Sequence, residues 1–162
     1  MGTFNLNTIK ASKGTFTGVA NTVTTSSSYS ASGTTSYANT GYGVSITPSS
    51  ASSKFLIQVS YRVGQYNASE TVARNCQARI VRSISGSAQS QTLATDLNWQ
   101  YDNFGSRSYF NSAPPTCWTY VDAPSTSNTV NYWLHVAATS SSHTHYASAS
   151  ATNPNTWTVM EF

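Results

Sequence analysis

Charged side chains are scarce in this chain. Only 8% of its 162 residues are Asp, Glu, Lys or Arg, against about 25% in typical soluble domains. Low charge can indicate disorder, but disordered chains are also poor in aromatic and β-branched residues. Here 12% of the residues are aromatic, and Thr, Tyr, Val and Trp favour pleated sheets. The composition therefore predicts a single folded domain made of β-strands.

Several partners and locations are excluded by what is missing. The formal charge of +3 comes from scattered residues, without the basic stripe or motif of a nucleic-acid binder. No apolar run approaches the ~18 residues that span a membrane. The N-terminus lacks the charged start and apolar run of a signal peptide, which predicts synthesis in the cytoplasm. In that compartment Cys76 and Cys117 are expected to be unpaired and buried, with a disulfide as the alternative.

Helical periodicity is also missing, whereas strand alternation recurs along the chain. The cleanest inward face is formed by Val130, Tyr132, Leu134 and Val136. About eight strands separated by polar turns predict an all-β, antiparallel sandwich or jelly roll, and the pattern alone does not choose between them. Long stretches rich in Ser, Asn and Tyr are predicted to be exposed loops, at residues 26–39, 85–112 and 139–155.

The chain ends on an apolar strand. Residues 156–162 read TWTVMEF, with Trp157 and Val159 on one side and Met160 and Phe162 on the other. Large apolar groups on both sides predict that each face is covered. The strand is therefore expected either in the middle of a sheet or against a partner subunit.

Chemistry that needs acids and bases has few candidates. The chain has only five carboxylates, and none forms a recognised catalytic pattern. Asp96 and Asp102 are the one pair that a glycosidase could use, if their loop brought them face to face. Turn-capping roles explain both residues more simply. The sequence therefore predicts that the protein is not an enzyme and needs no cofactor.

Two loop features allow ligand binding. His143 and His145 have a spacing that places both rings on one side of a strand, and His135 would join them from an adjacent strand. Without a third ligand in sequence, two ordinary loop histidines are the favoured interpretation. A loop rich in aromatic and polar groups suggests a patch that stacks on a sugar, or rings that merely anchor the loop. Its residues are Trp99, Tyr101, Asp102 and Asn103.

Three segments together resemble proteins of tailed-phage virions. They are YGVSITPSSASSKFLI at residues 42–57, YVDAPSTSNTVNY at 120–132 and TWTVMEF at 156–162. The resemblance implies a small jelly-roll module that is commonly a homotrimer and is displayed on the phage particle. It carries no catalytic residues. On this basis residues 1–13 are expected to form an N-terminal arm or first strand, and residues 14–162 the jelly roll.

The leading functional hypothesis is a capsid cement or decoration protein on the outer surface of the head, bound to the major capsid protein. The short lead before the first strand favours this hypothesis over a fibre with a long shaft. The alternative is a receptor-binding tip of a tail fibre that recognises host surface glycans. Expected capsid contacts are Phe4, Leu6, Lys10 and Lys13; the expected trimer interface is Trp157, Val159, Met160 and Phe162.

Overall fold

The strands of the chain follow one another without a helix in the part that the structure describes. This computed structural model describes residues 9–11, 14–16, 20–25, 29–32, 35–66, 77–87, 90–94, 116–138, 141, 144–147 and 155–162. The strands are β1 Ile9–Ala11, β2 Gly14–Phe16, β3 Ala20–Thr25, β4 Tyr29–Ser32, β5 Ala38–Ile46, β6 Phe55–Tyr61, β7 Val63–Tyr66, β8 Gln77–Ile84, β9 Ser90–Ala94, β10 Thr116–Asp122, β11 Val130–Ala137, β12 Thr144–Ala147 and β13 Asn155–Glu161. Within these residues no helix is long and apolar enough to cross a membrane.

Two four-stranded sheets form the body of the fold. Sheet I has the order β10-β6-β13-β3, and sheet II has the order β5-β11-β8-β9. A smaller sheet is ordered β4-β12-β7, and β1 pairs with β2. Every pairing is antiparallel. The predicted all-β class, an antiparallel sandwich of jelly-roll type, is confirmed.

The core lies between sheets I and II and follows the alternation of the sequence. The inward faces of β6 and β11 are almost completely buried. Phe55 of sheet I meets Tyr132 of sheet II edge to face, with ring centroids 6.4 Å apart. Each large apolar side chain buried in this way contributes about 1.5–3 kcal/mol. The predicted inward face Val130, Tyr132, Leu134 and Val136 is fully buried.

The C-terminal strand occupies the middle of sheet I, as one of the two sequence-based alternatives predicts. β13 pairs with β6 on one side and with β3 on the other. Past its end, Phe162 and Lys54 exchange two backbone hydrogen bonds of 2.9 and 3.0 Å. Trp157 and Val159 face the sandwich and are fully buried within their own chain. A partner subunit is therefore not needed to cover them.

The predicted count of about eight strands is too low, because short polar strands resemble loops in sequence. β4, β9 and β12 all lie in stretches predicted to be loops. Their Ser, Thr and Gln side chains give no apolar alternation, and β9 is mostly exposed. The run from Phe55 to Val63 also divides, because Val63 begins β7 in the smaller sheet.

Close approach explains the glycine in the centre of β5. Gly43 pairs with Trp133 of β11. A Cβ at this position would collide with the Tyr132 carbonyl oxygen and the Trp133 ring. Because Gly43 has no side chain, the Cε3 edge of the indole can lie against β5, while its Nε1 donates a 3.3 Å hydrogen bond to Ser83 Oγ of β8.

The predicted boundary between residues 13 and 14 falls inside the first hairpin. β1 and β2 pair from Ile9 with Phe16 to Ala11 with Gly14. The division into an N-terminal arm and a jelly roll stays a prediction.

Replacing Trp157 by Ala tests the central position of β13. We expect a loss of about 3–5 kcal/mol in the free energy of unfolding, because a large cavity opens between the sheets. Phe162→Ala is the control, because Phe162 follows the end of the same strand and is 46% exposed. Its loss in the free energy of unfolding should stay below about 1 kcal/mol. Urea denaturation measures both variants. Equal losses would contradict the assigned burial.

Candidate functional site

The Glu161 carboxylate fastens the end of the chain to the turn between β5 and β6. It accepts hydrogen bonds from Ser49 N at 2.7 Å and from Ser49 Oγ at 2.6 Å. Glu161 is 2% exposed, so its charge is held away from water. The turn is ordered by its own serines, since Ser53 Oγ accepts from Ser50 N at 3.1 Å. Glu161 therefore joins the last strand to the crossover between the two sheets.

Hydrogen bonding decides the ionisation of this carboxyl group. Burial raises the pKa of Glu161, but the hydroxyls of Ser49 and Ser53 and the Ser49 backbone N–H lower it by more. The net shift is downward, so the group is charged at neutral pH and stabilises the fold in that form. A carboxylate committed in this way is a structural acceptor rather than a catalytic acid.

A second buried carboxylate joins the two sheets across the sandwich. Asp122 of sheet I forms a 2.6 Å ion pair with Arg82 of sheet II. It also accepts a 2.9 Å hydrogen bond from the hydroxyl of Tyr132. Burial, and then the Asp122 charge, raise the pKa of that tyrosine well above its ordinary value. Arg82 further donates to Gln91 of β9, which extends the network to the edge of sheet II.

Both carboxylates lie at the same level of sheet I. Phe55 pairs with Asp122 on β10 and with Glu161 on β13. The three segments that resemble phage virion proteins contain parts of β10, β6 and β13, and two of them also contain parts of β5 and β11 in sheet II. Their acidic residues bind groups of their own chain. Glu70, Asp96 and Asp102 lie outside the described residues.

The structure describes the strand positions of two of the three candidate histidines, His135 and His145. β12, which carries His145, pairs with β4 and β7, whereas β11, which carries His135, pairs with β5 and β8. His135 therefore does not lie on the neighbouring strand. Its Nδ1 is 3.5 Å from Nη2 of Arg79, and burial followed by the Arg79 charge lowers its pKa. His143 lies outside the described residues.

Metal binding finds no support in the described ranges. They hold no group of three or more His, Cys, Asp or Glu side chains that could bind an ion.

Arg79 also lies 4.3 Å from the ring centroid of Tyr37. The Arg79 guanidinium thus contacts both the Tyr37 ring and His135. Arg79 and His135 therefore both serve in packing.

Exposed apolar groups concentrate on β10, an edge strand of sheet I. Tyr120 is 39% exposed and Val121 is 51% exposed. Tyr120 stacks on Trp118 with ring centroids 5.3 Å apart and an interplanar angle of 9°. Cys117 is unpaired and exposed, so the expectation that it is buried is wrong. Alternation along β10 predicts which residues share a side of the strand, but it does not predict which side of the sheet is covered.

The remaining predicted site residues are placed only in part. Lys10 lies on β1, while Phe4, Leu6 and Lys13 lie outside the described residues. The predicted ligand loop also lies outside them, with Trp99, Tyr101, Asp102 and Asn103; it connects β9 to β10. Of the predicted trimer residues, Trp157 and Val159 are in the core of their own chain, whereas Met160 is partly exposed. The trimer interface stays a prediction for Met160 and Phe162.

Two polar contacts were not predicted from the sequence, namely Ser49 with Glu161 and Arg82 with Asp122. Arg82 is one of several scattered basic residues and Ser49 lies in a serine-rich turn, so neither stands out in the sequence as a partner. A rare carboxylate on an otherwise inward-facing strand position is the signal that points to a buried partner, because an isolated buried charge is costly.

Glu161→Gln should lower the free energy of unfolding at pH 7 by about 1–3 kcal/mol, because a charged acceptor is lost. The folded-state pKa is lowered, so this contribution is complete above the unfolded value of about 4.3. It disappears as pH falls through the folded-state pKa. The difference between wild type and variant should therefore close in acid.

Urea denaturation from pH 7 down to pH 3 measures this difference. Ser50→Ala is the control in the same turn, and should show no such pH dependence. Ser49→Ala combined with Glu161→Gln should cost less than the sum of the single changes, because the residues share a bond. Strict additivity would contradict the assigned contact.

Asp122→Ala should cost about 3–5 kcal/mol, because it leaves the partly buried Arg82 charge without its partner and the buried Tyr132 hydroxyl without its acceptor. The double variant Arg82→Met with Asp122→Ala should cost clearly less than the two single losses added together. Chemical denaturation of all four proteins gives the coupling free energy. A coupling near zero would show that the ion pair does not join the sheets.

Comparison with known proteins gives distant structural matches. Over 99% of its length the chain matches infectious bursal disease virus VP2 in a crystal structure of the subviral particle, with a TM-score of 0.40 and 15% identity, and it spans 42% of that chain. Structures of the Gt and Gx strains match with TM-scores of 0.35 and 0.34 and identities of 12% and 10%, and the chain spans 46% and 44% of them.

The chain thus corresponds to less than half the length of each of these viral proteins. No protein-family model matches it, and no curated protein matches it. At these TM-scores the likeness decides neither the fold nor the function.

Proposed function

We propose that this protein is a non-enzymatic structural component of a phage virion that binds the outer surface of the head and stabilises the shell. One observation supports it above the others. Two of the three segments that resemble phage virion proteins connect the two sheets, from β5 to β6 and from β10 to β11, and the third forms β13. Their acidic residues, Asp122 and Glu161, bind Ser49, Arg82 and Tyr132 of the same chain. The shared pattern is therefore architectural, as expected when relatives share a scaffold rather than a reaction.

The proposed activity is binding rather than chemistry. A protein that binds only the assembled shell shifts the equilibrium toward that shell by mass action. Both described carboxylates are committed to internal hydrogen bonds, so neither can act as a base without releasing a structural contact. The chain would be synthesised in the host cytoplasm and added to the capsid surface.

Homotrimer formation belongs to the same proposal. On the outer face of sheet I, Leu56 pairs with Val121 on one side and Met160 on the other. Phe162, with 46% of its surface exposed, extends the same side of β13. This apolar row continues into uncharged Thr, Gln and Ser side chains, which suits contact with another subunit.

The arm of residues 1–13 is proposed to contact the major capsid protein. Phe4 and Leu6 would supply apolar contacts, and Lys10 and Lys13 would meet acidic groups of the shell. Attraction of this kind weakens as salt rises, because exposed charges are screened over about 8 Å at physiological ionic strength.

Deleting residues 1–13 should abolish binding to purified shells that lack this protein, while the melting temperature stays near that of the full chain. Co-sedimentation with the shells measures occupancy. Lys10→Gln with Lys13→Gln should weaken binding in a salt-dependent way. Lys54→Gln, which removes a lysine from an exposed position outside the arm, is the matched control and should bind normally.

Unchanged occupancy after deletion would contradict the arm assignment. Adsorption of the full chain to host cells without any shell binding would instead favour the receptor-binding alternative, with the loop containing Trp99 and Tyr101 as its ligand site.

A further inference from the structure

Two of the four edge strands of the main sheets, β5 and β9, pair with their neighbours in an interrupted register. The β5 pairing is interrupted by a register shift opposite Trp133 and His135, where Gly41 has a φ of 76°. There the Thr40 hydroxyl donates a 2.8 Å hydrogen bond to the Leu134 carbonyl. The β9 pairing is also shifted. Bulges of this kind blunt an edge.

The β10 edge carries none of these protections. Its seven residues pair with β6 in unbroken register, and the described residues place no other strand beside it. Before Asp122 the strand reads Thr116-Cys117-Trp118-Thr119-Tyr120-Val121, without charge, proline or glycine. A regular and uncharged edge is a template for further strand pairing.

Exposure on β10 points to a partner beside the strand rather than on one face of the sheet. Tyr120 and Val121 are two of the three exposed large apolar residues in the described ranges. As consecutive strand residues they point to opposite faces. A partner resting on one face would cover only one of them, whereas an added strand has side chains on both faces and would cover both.

The order of residues along β10 suits a second copy of the same strand. About Thr119 the sequence is chemically palindromic: Trp118 and Tyr120 are aromatic, and Cys117 and Val121 are small and apolar. An isologous interface requires this kind of self-complementarity about a two-fold axis. No charge opposes a like charge in the resulting register, because the strand carries none before Asp122.

We propose that two copies of this protein pair edge to edge through antiparallel β10 strands, with Thr119 on the two-fold axis. Trp118 then lies opposite Tyr120 of the second copy, and the reverse pair repeats the contact. The two stacked aromatic pairs, each already preformed at 5.3 Å in its own chain, become one continuous row. Sheet I is extended into a sheet of twice the width.

This pairing is independent of the proposed location on a phage head. It uses the backbone edge of β10 and covers Val121, and it leaves Leu56, Met160 and Phe162 available for the proposed trimer contact. The two contacts are distinguishable by stoichiometry. Edge pairing requires an even number of chains in the solution particle, whatever other contacts exist.

Thr119→Lys tests the pairing most directly. Thr119 is exposed, so the fold should tolerate lysine, but two lysines would face each other across the axis. Light scattering coupled to size exclusion, in reducing buffer so that Cys117 cannot cross-link, should show that the particle mass falls to half. The dissociation constant should rise about tenfold or more, because like charges are brought together.

Gln58→Lys is the matched control. Gln58 is exposed, pairs directly with Thr119 and sits one strand inward from the edge, so its lysine leaves the particle mass unchanged. Thr119→Glu alone should also halve the mass. An equimolar mixture of the Lys and Glu variants should restore it, because opposite charges then meet at the axis.

Three results would overturn the proposal. They are an odd number of chains in the wild-type particle, an unchanged mass for Thr119→Lys, and failure of the Lys and Glu mixture to recover mass while circular dichroism shows both variants folded.

Discussion

Insertion of the last strand into the middle of sheet I is the constraint on which the rest of the structure depends. β13 supplies both β6 and β3 with their neighbour, so this sheet is incomplete without the final residues of the chain. The bond from Ser49 to Glu161 joins residues 112 positions apart. Contacts this distant in sequence form late and slowly, because loop closure must precede them.

The few carboxylates that the structure describes bind other groups of the same chain. The two described carboxylates both lie where strands of sheet I end. Asp122 is paired with a positive charge of its own chain, and Glu161 accepts hydrogen bonds from its own chain. Asp122 holds the two sheets together through Arg82 and Tyr132, and Glu161 holds the terminus to a serine turn. Among the exposed positions that the structure describes, Lys54 is the one charged residue, and Ser and Thr are the most frequent residues. Such a surface is suited to contact with other proteins.

The sequence predicted the sandwich because apolar alternation is strongest where both sheets bury a face, as along β11 and β6. It did not predict β4, β9 or β12, because their mostly polar sequences show no alternation of apolar and polar residues. The burial of Trp157 was foreseen, but its cover was assigned partly to a partner, since alternation does not tell which surface lies above a strand. The inward positions of Glu161 and Asp122 indicate that each needs a buried partner, but the identity of that partner, Ser49 or Arg82, depends on three-dimensional proximity.

We propose that this fold serves as a structural part of the phage head. Labelling the protein in intact virions with a specific antibody, followed by electron microscopy, tests this proposal most directly. The expected result is label distributed over the head surface at many symmetry-related positions. Label confined to the tail tip, or particles that carry none of the protein, would contradict it.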